Sequence, residues 1–583
     1  MPLEPTPSTR VDANAPWAGW RGALALIVLV LLARVVFLVF AGHELSADEA
    51  QYWDWSRRLE LSYYTKPPGI AWVIGATTAL FGDGAFGVRL GAPLFGALFM
   101  LASARLAVDL SRNERSAVYG AAAPLLVPIF QATGLLITID APLLALWCVG
   151  LLASLRFVRA IEESGNVRDT LAWGALTGAA LGAGALFKYT ALFLLVSVLL
   201  CVLTRVRRWN APAWSVLAAL VAMLGAIALT LTPVIVWNAQ HDWASLAHLL
   251  HHVGIETPDA LAPPAHVPVY DAPPWAYDPS WTLTFIGSQL GLVGSALALM
   301  IAGFRSTRPI LTPQIDEPTG PSPSPASTKR RVRGAGLALM LYAALPILLV
   351  YLGVSLLSDA EGNWPIAGYI SLLALAAAVA PSELDRHRAL VEEWRTIEPN
   401  DKGKRPRMGY LRRAPETLFQ ISWHWSIGYA SVAAIALVAL PILDRVPSID
   451  PHVPMHRLRG HTDRAMVLHK LAEELRESTG AEPFYVTNHY AKTALMAYHL
   501  PGEPNVYDGA FRLHASESSY AFFDDQDLTD PSLLGRPAIL YGGEIGHWQR
   551  SFRFDAVTPI DIETDLARLH PIYIGINYCG ATP

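Results

Sequence analysis

Residues 43–68 read HELSADEAQYWDWSRRLELSYYTKPP and follow directly on an apolar run, 22–41, of the length that crosses hydrocarbon. In 26 residues they gather five acids, three bases and five aromatic rings. Scattered charge would suit a solvated loop joining two helices. An Asp48 and Glu49 pair emerging beside the bilayer, followed by Lys66 pinned by Pro67 and Pro68, suits a site instead, because charge at that boundary needs partners.

The rest of the chain supplies the membrane. Its 583 residues are 52% hydrophobic and 16% charged, where a soluble domain carries about 25% charged residues, and the mean hydropathy is +0.32. An integral membrane protein is the reading. A net charge of -5 and a pI near 6.4 give no support to a nucleic-acid partner. Cys148 and Cys201 lie inside apolar runs and Cys579 stands alone, so no disulfide framework or cysteine-rich metal site can be built. The first apolar run exceeds a signal-peptide core and lacks a small-residue cleavage pattern, so it is expected to stay as a helix.

Apolar stretches recur at 22–41, 87–109, 117–136, 140–157, 171–187, 189–204, 213–236, 282–303, 335–357, 364–381 and 425–443, which predicts eleven spans. Residues 69–80 are apolar but too short to cross, and read as a re-entrant or interfacial helix. Alternate loops carry Arg112 and Arg115, then Arg156, Arg159 and Arg168, then Arg205, Arg207 and Arg208, then 305–333 and 386–413, whereas 238–281 has no Lys or Arg. By the positive-inside rule the basic loops and the N-terminus are cytoplasmic and the C-terminus is outside. The predicted plan is therefore a cytoplasmic tail (1–21), a membrane domain (22–443) and an outer domain (444–583). Within the membrane domain lie an outer loop, 42–86, and cytoplasmic linkers, 304–334 and 382–424. Residues 312–333, rich in Pro and Ser, cannot fold alone, and 382–413 have room for a short surface helix. Beyond Pro447 the chain turns polar: Ala465 to Arg476 has helical periodicity, Phe484 to Thr487, Ala538 to Tyr541 and Ile572 to Ile576 resemble buried strands, and Pro501-Gly502 marks a turn. That predicts a small α/β domain.

Ionisable and amide side chains collect where the expected spans end on the outer face: Asp48, Glu49, Lys66, Asp140, Lys188, Asn238, His241 and Asn363. Lys188, between LGAGALF and TALFLLVSVLL, reads either as a lysine snorkelling to the interface or, with Lys66, as a cation for a membrane-embedded phosphate. Asp140 reads as a helix N-cap, a site acid, or both, and Asp48 likewise. The aromatics, Tyr64 among them, form an interfacial belt that could also wall a lipid or sugar site. His241, His248, His251 and His252 raise the thought of a metal, but without HExxH or a suitably placed acid the sequence supports none. Walker and GxGxxG patterns are absent, so soluble nucleotide binding has no support.

The ordered set ADEAQYWDWSRRL, YYTKPPGIAW, TIDAPLL, FKYTALFLL, PVIVWNAQHDWASL and NWPIAGYISL resembles the bacterial GT-C glycosyltransferases of the protein-mannosyltransferase-like family (family 39), which includes relatives of the lipid A aminoarabinose transferases. NHYAKTALMAYHLPGEPNVY resembles the periplasmic domain of many bacterial members. The resemblance implies a multispanning GT-C fold in the bacterial cytoplasmic membrane with a periplasmic α/β domain. It also implies inverting transfer of a sugar from a polyprenyl-phosphate donor to an envelope acceptor, whether glycolipid, glycan or protein. On matching motifs Asp48 takes the place of the first-loop acid, with Glu49 its catalytic companion. Lys66, Asp140 and Lys188, with Tyr64, Asn238, His241 and Asn363, serve the donor phosphate and substrate. Where the aminoarabinose transferases carry an arginine three positions after the catalytic acid, this chain has Gln51. The mechanism also fits the residues alone, with Asp48 as base and the two lysines around a leaving phosphate. The rival readings are a transporter or lipid flippase, which predicts charges in mid-span and a repeat between halves, and a non-catalytic envelope scaffold.

Overall fold

Prolines and glycines decide where the apolar stretches stay helical and where they break. A computed structural model describes residues 19–252, 277–307, 325–396, 414–443, 457–513, 518–560 and 570–582. In chain order the helices begin with α1 (Trp20–Phe40), α2 (Ala47–Ser56), α3 (Gly69–Phe81), α4 (Ala85–Arg89), α5 (Gly91–Ser111), α6 (Ser116–Ala122) and α7 (Pro128–Ala132). Then come α8 (Asp140–Arg159), α9 (Val167–Ala185), α10 (Phe193–Thr204), α11 (Ala213–Thr230), α12 (Thr232–Gln240) and α13 (Ala244–His252). The membrane part closes with α14 (Pro279–Val293), α15 (Ala296–Thr307), α16 (Pro325–Val354), α17 (Gly368–Thr396) and α18 (Pro415–Leu443).

The eleven apolar stretches fall on helix, but among the described residues six helices are long and apolar enough to cross a membrane, or seven if α14 and α15 count as one span. The stretch 117–136 is not one helix. Pro128 pushes Val127 to φ -115°, ψ 115°, so the chain runs as α6, a 3-10 turn and α7. Pro233 opens α12 and separates it from α11, and Gly294, at φ 62°, lies where α14 and α15 bend by 81°. Residues 189–204 start as a 3-10 turn, leaving α10 only 12 residues. The segment 69–80 is a separate 13-residue helix, α3. Of the expected linkers, 308–324 and 397–413 lie outside the described residues. The basic end of the first belongs to α16, and α17 continues through the start of the second.

Small residues let the helices approach closely. Gly174, Gly178 and Gly182, spaced by four on α9, face Ala219, Met223 and Thr230 of α11, and a Cβ on any of the three would collide there. The bundle has two chemically distinct ends. Helix α8, 20 residues and so about 30 Å long, has Asp140 at one end and Arg156 and Arg159 at the other. At the arginine end the basic loops are tied together by Arg156 with Asp109, Arg112 with Glu163, Arg205 with Glu162 and Arg115 with Asp385. At the Asp140 end sit α2, α3 and the polar C-terminal part.

That part is an α/β unit, with α19 (His461–Thr479), α20 (Tyr490–His499) and α21 (Ile545–Ser551) around a five-stranded sheet. Its strands are β1 (Phe484–Thr487), β2 (Val506–Asp508), β3 (Ala538–Tyr541), β4 (Phe552–Ile560) and β5 (Ile572–Ala581), in the order β2-β1-β3-β5-β4. The first three pair in parallel and β5 runs antiparallel to both neighbours. Strands β1 and β3 are buried along their whole length, as continuous apolar runs in a central parallel position must be. One hydrophobic core continues from the segment carrying α2 and the start of α3 into this unit: Trp53, Trp55, Tyr63 and Ile70 share it with Leu468, Leu495, Ile539 and Phe523.

Candidate active site

The geometry of the site starts at Ser46. Its hydroxyl accepts from Glu49 N at 3.4 Å while its own N–H donates to Glu49 Oε2 at 3.0 Å, a reciprocal capping box that starts α2. Ser46 is therefore the cap, and Asp48 is not. Asp48 lies in the first turn, where the helix dipole favours a carboxylate. It is exposed, with no hydrogen bond or ion pair among the described residues.

Opposite it stands Lys66, half-buried, with Nζ 5.9 Å from the centroid of the Tyr52 ring. Burial is the strongest influence on this ammonium and pushes its pKa down. Asp48 and Asp140 pull it up, Lys188 pushes it further down, and the outcome is below the ordinary lysine value. Those charges are the residues that sequence reasoning set together. Asp140, at the first turn of α8, accepts from Lys188 Nζ at 2.8 Å and from Asn363 Nδ2 at 2.8 Å. It caps nothing with its side chain. Lys188, in extended backbone before the 3-10 turn at 189–192, is thus an ion-paired cation and not a free snorkelling one.

Glu49 was expected as a catalytic companion, and its surroundings oppose that. It is fully buried. Arg89 Nε donates to Oε1 and Arg89 Nη2 to Oε2, both at 2.8 Å, and Ile137 N adds 3.1 Å to Oε1. Burial alone would raise its pKa, but Arg89, Ser46 and Ile137 outweigh that and hold the carboxyl below the usual range. Arg89 also donates to the His43 and Glu44 carbonyls, so the pair fastens the chain on both sides of Ser46. Both oxygens are committed to donors, the arrangement of a buried structural ion pair.

Tyr64, Asn238 and His241 form a second group. The Tyr64 ring lies 4.8 Å from Phe522 and 4.7 Å from His248. His241 stacks on Trp237 at 4.0 Å and bonds its carbonyl through Nδ1, and Asn238 Nδ2 donates to Val234 O at 3.0 Å. These residues wall the region beside Tyr63, whose carbonyl accepts from Ser245. They do not join the Asp48 group by any direct bond among the described residues. His248 packs on Tyr64, and the side chains of His251 and His252 lie outside the described residues. No cluster of three or more metal-ligating side chains occurs among the described residues.

Sequence reasoning missed four participants. Tyr52 is buried, and its hydroxyl is pushed well up first by burial and then by Asp48, Asp140 and Tyr490. Tyr490, the first residue of α20, is raised by burial and then by Asp48 and Glu361. Arg89 carried a readable signal, a lone arginine at the edge of an apolar run. Tyr490 and Glu361 carried none, since only the docking of the C-terminal unit brings Tyr490 within reach of the charges of Asp48 and Glu361.

Comparison with known proteins finds similarity in part of the sequence and in the fold. Residues 65–237 match the family described as dolichyl-phosphate-mannose-protein mannosyltransferase, a stretch that includes Lys66, Asp140 and Lys188. Lipid A galacturonosyltransferase RgtD of Rhizobium johnstonii is 31% identical over 235 residues, covering 39% of this chain and 46% of that protein. The chain thus matches a little under half the length of that curated relative. ArnT from Cupriavidus metallidurans in the apo state has the same fold, with a TM-score of 0.57 at 15% identity over 95% of this chain and 98% of that one. The undecaprenyl phosphate-bound form gives 0.55 at 14% over the same shares.

Proposed function

We propose, from the premise that this is a multispanning GT-C chain of the protein-mannosyltransferase-like family 39, that it transfers a sugar from a polyprenyl-phosphate donor to an envelope acceptor. The reaction takes place on the periplasmic face of the bacterial inner membrane. With the arginine-rich end of the bundle on the cytoplasmic side by the positive-inside rule, α2 and the C-terminal unit, at the opposite end, lie on the periplasmic face.

The observation that carries the reading is the contrast in pairing. Asp140 and Lys188 satisfy each other, while Asp48 and Lys66 have no ion-pair partner among the described residues. Asp48 accepts the proton of the acceptor hydroxyl as its oxygen forms a bond to the anomeric carbon from the face opposite the donor phosphate. The bond from that carbon to the phosphate oxygen breaks, and the polyprenyl phosphate leaves with the electron pair. Lys66, supported by Lys188, stabilises the charge that develops there. One displacement inverts the sugar. Glu49 is a positioning residue: with Arg89 it fixes the entrance to α2 and so the direction in which Asp48 points. Asn363 orients Asp140, and Tyr64, Asn238 and His241 line the approach.

In membranes supplied with donor and acceptor, Asp48→Asn is expected to lower transfer by about 100-fold or more, with Lys66→Ala comparably impaired. Near-normal transfer in both would sink the proposal. Lipid flux without any transfer would favour the flippase reading.

A further inference from the structure

Arg34 is a buried charge that the proposed reaction leaves unused. It lies on α1 six residues before Phe40, so about 9 Å along the axis from the helix end, and is 9% exposed. Among the described residues it makes no hydrogen bond or ion pair. Gly96 and Gly134 flank the guanidinium, and a Cβ on either would collide with it. Arg34 also lines a cavity of about 410 Å³ between α1, the broken α6 to α7 segment and α18. Most other lining side chains are aliphatic, Val30, Leu135 and Val438 among them. Gln131 also lines it, its amide nitrogen spent on the carbonyls of Leu125 and Ala430. Two lining residues, Ile427 and Val438, are 43% and 52% exposed, so the cavity opens on the flank of the bundle where acyl chains run.

A snorkelling arginine carries its charge out to the headgroups along its own stem. This one is enclosed between two glycines, in surroundings where a cation requires an anion. We propose that the cavity binds an anionic glycerophospholipid of the bilayer, with its phosphate on the Arg34 guanidinium and an acyl chain along the aliphatic wall between α1 and α18. The sugar donor is the weaker candidate. Arg34 is not among the charges acting on Lys66 or Tyr52. A fixed cation also needs its counter-ion at all times, which an abundant lipid supplies and a reaction intermediate does not. The site backs onto the reaction centre, because Gly134 opens the segment whose Ile137 N–H holds Glu49 and which ends at Asp140.

Native mass spectrometry of the full chain in neutral detergent tests this, with phosphatidylglycerol, phosphatidylcholine of the same chains, and undecaprenyl phosphate as probes. Phosphatidylglycerol should be retained about tenfold better than phosphatidylcholine, Arg34→Met should erase the preference, and Arg34→Lys should keep most of it. Ala434→Phe fills the opposite wall and should weaken phosphatidylglycerol binding with Arg34 intact, which keeps the test decisive if Arg34→Met fails to fold. Equal retention of the two phospholipids by the wild type, or an unchanged preference in Ala434→Phe, would overturn the proposal. So would competition by undecaprenyl phosphate that is itself lost in Arg34→Met, which would give the site to the carrier.

Discussion

An arginine on both oxygens lowers the basicity of a carboxylate, and this separates the two neighbouring acids: Glu49 is held by Arg89, and Asp48 has no such partner among the described residues. Glu49→Gln leaves Arg89 buried without its counter-charge, and should cost about 3 kcal/mol or more of stability, seen as a lower melting temperature in detergent. An unchanged melt would show that Arg89 finds another partner. A second buried acid makes a pH prediction. Burial raises the Asp508 carboxyl to about 6, despite hydrogen bonds from Ser518 Oγ at 2.5 Å and Ala510 N at 3.1 Å. The folded state then binds the proton more tightly than the unfolded one. This group's stabilisation is full at pH below about 4 and declines as pH rises through about 6, by at most about 3 kcal/mol. Asp508→Asn should flatten that window in melts taken across pH, and a persisting slope there would assign it elsewhere. At this scale the sequence showed which charges lack company along the chain. It could not show Arg89 claiming Glu49, because 40 residues separate them.

Helix α2 shows what was legible at the level of elements. Ser46-Ala47-Asp48-Glu49 is an S-x-x-E pattern, so the cap could have been assigned to Ser46 and Asp48 released from that role. Ser46→Ala should cost about 1 kcal/mol, and Ser46→Asn much less, in thermal unfolding; equal losses would mean that the side-chain oxygen is not the source. In the C-terminal unit, Phe484–Thr487 and Ala538–Tyr541 were readable because central parallel strands are apolar throughout. Strands β2, of three residues, and β4, largely exposed and carrying Pro559, gave no such run. An apolar stretch reads as continuous straight through Pro128, Pro233 or Gly294, whereas the backbone must break there, which is why the spans expected from the sequence outnumber the long helices.

For the molecule as a whole, helix α2 is held between two bodies. Trp53 meets Tyr498 edge-on at 4.8 Å, the Tyr498 hydroxyl donates to Asp83 O, and Arg58 reaches both Asp54 on α2 and Asp525 in the C-terminal unit. A double-mutant cycle on Trp53→Ala and Tyr498→Ala should give a coupling of about 0.5 to 1.5 kcal/mol in thermal unfolding; additive losses would mean that the two parts melt independently. This arrangement was beyond the reach of the sequence, since nothing local marks Tyr490 or Tyr498 as neighbours of residues more than four hundred positions earlier.

The glycine seam between α9 and α11 has a reach greater than its chemistry. Helix α9 ends at Ala185, three residues before Lys188, so an added methyl at Gly182 would pry the two rods apart and swing the lysine off Asp140. Such a variant would present in an assay as a defect of the Asp140 and Lys188 pair, although the altered residue packs against Thr230 of α11. Inactive variants along that seam would report on the alignment of the scaffold, and the three glycines mark where the margin for error is smallest.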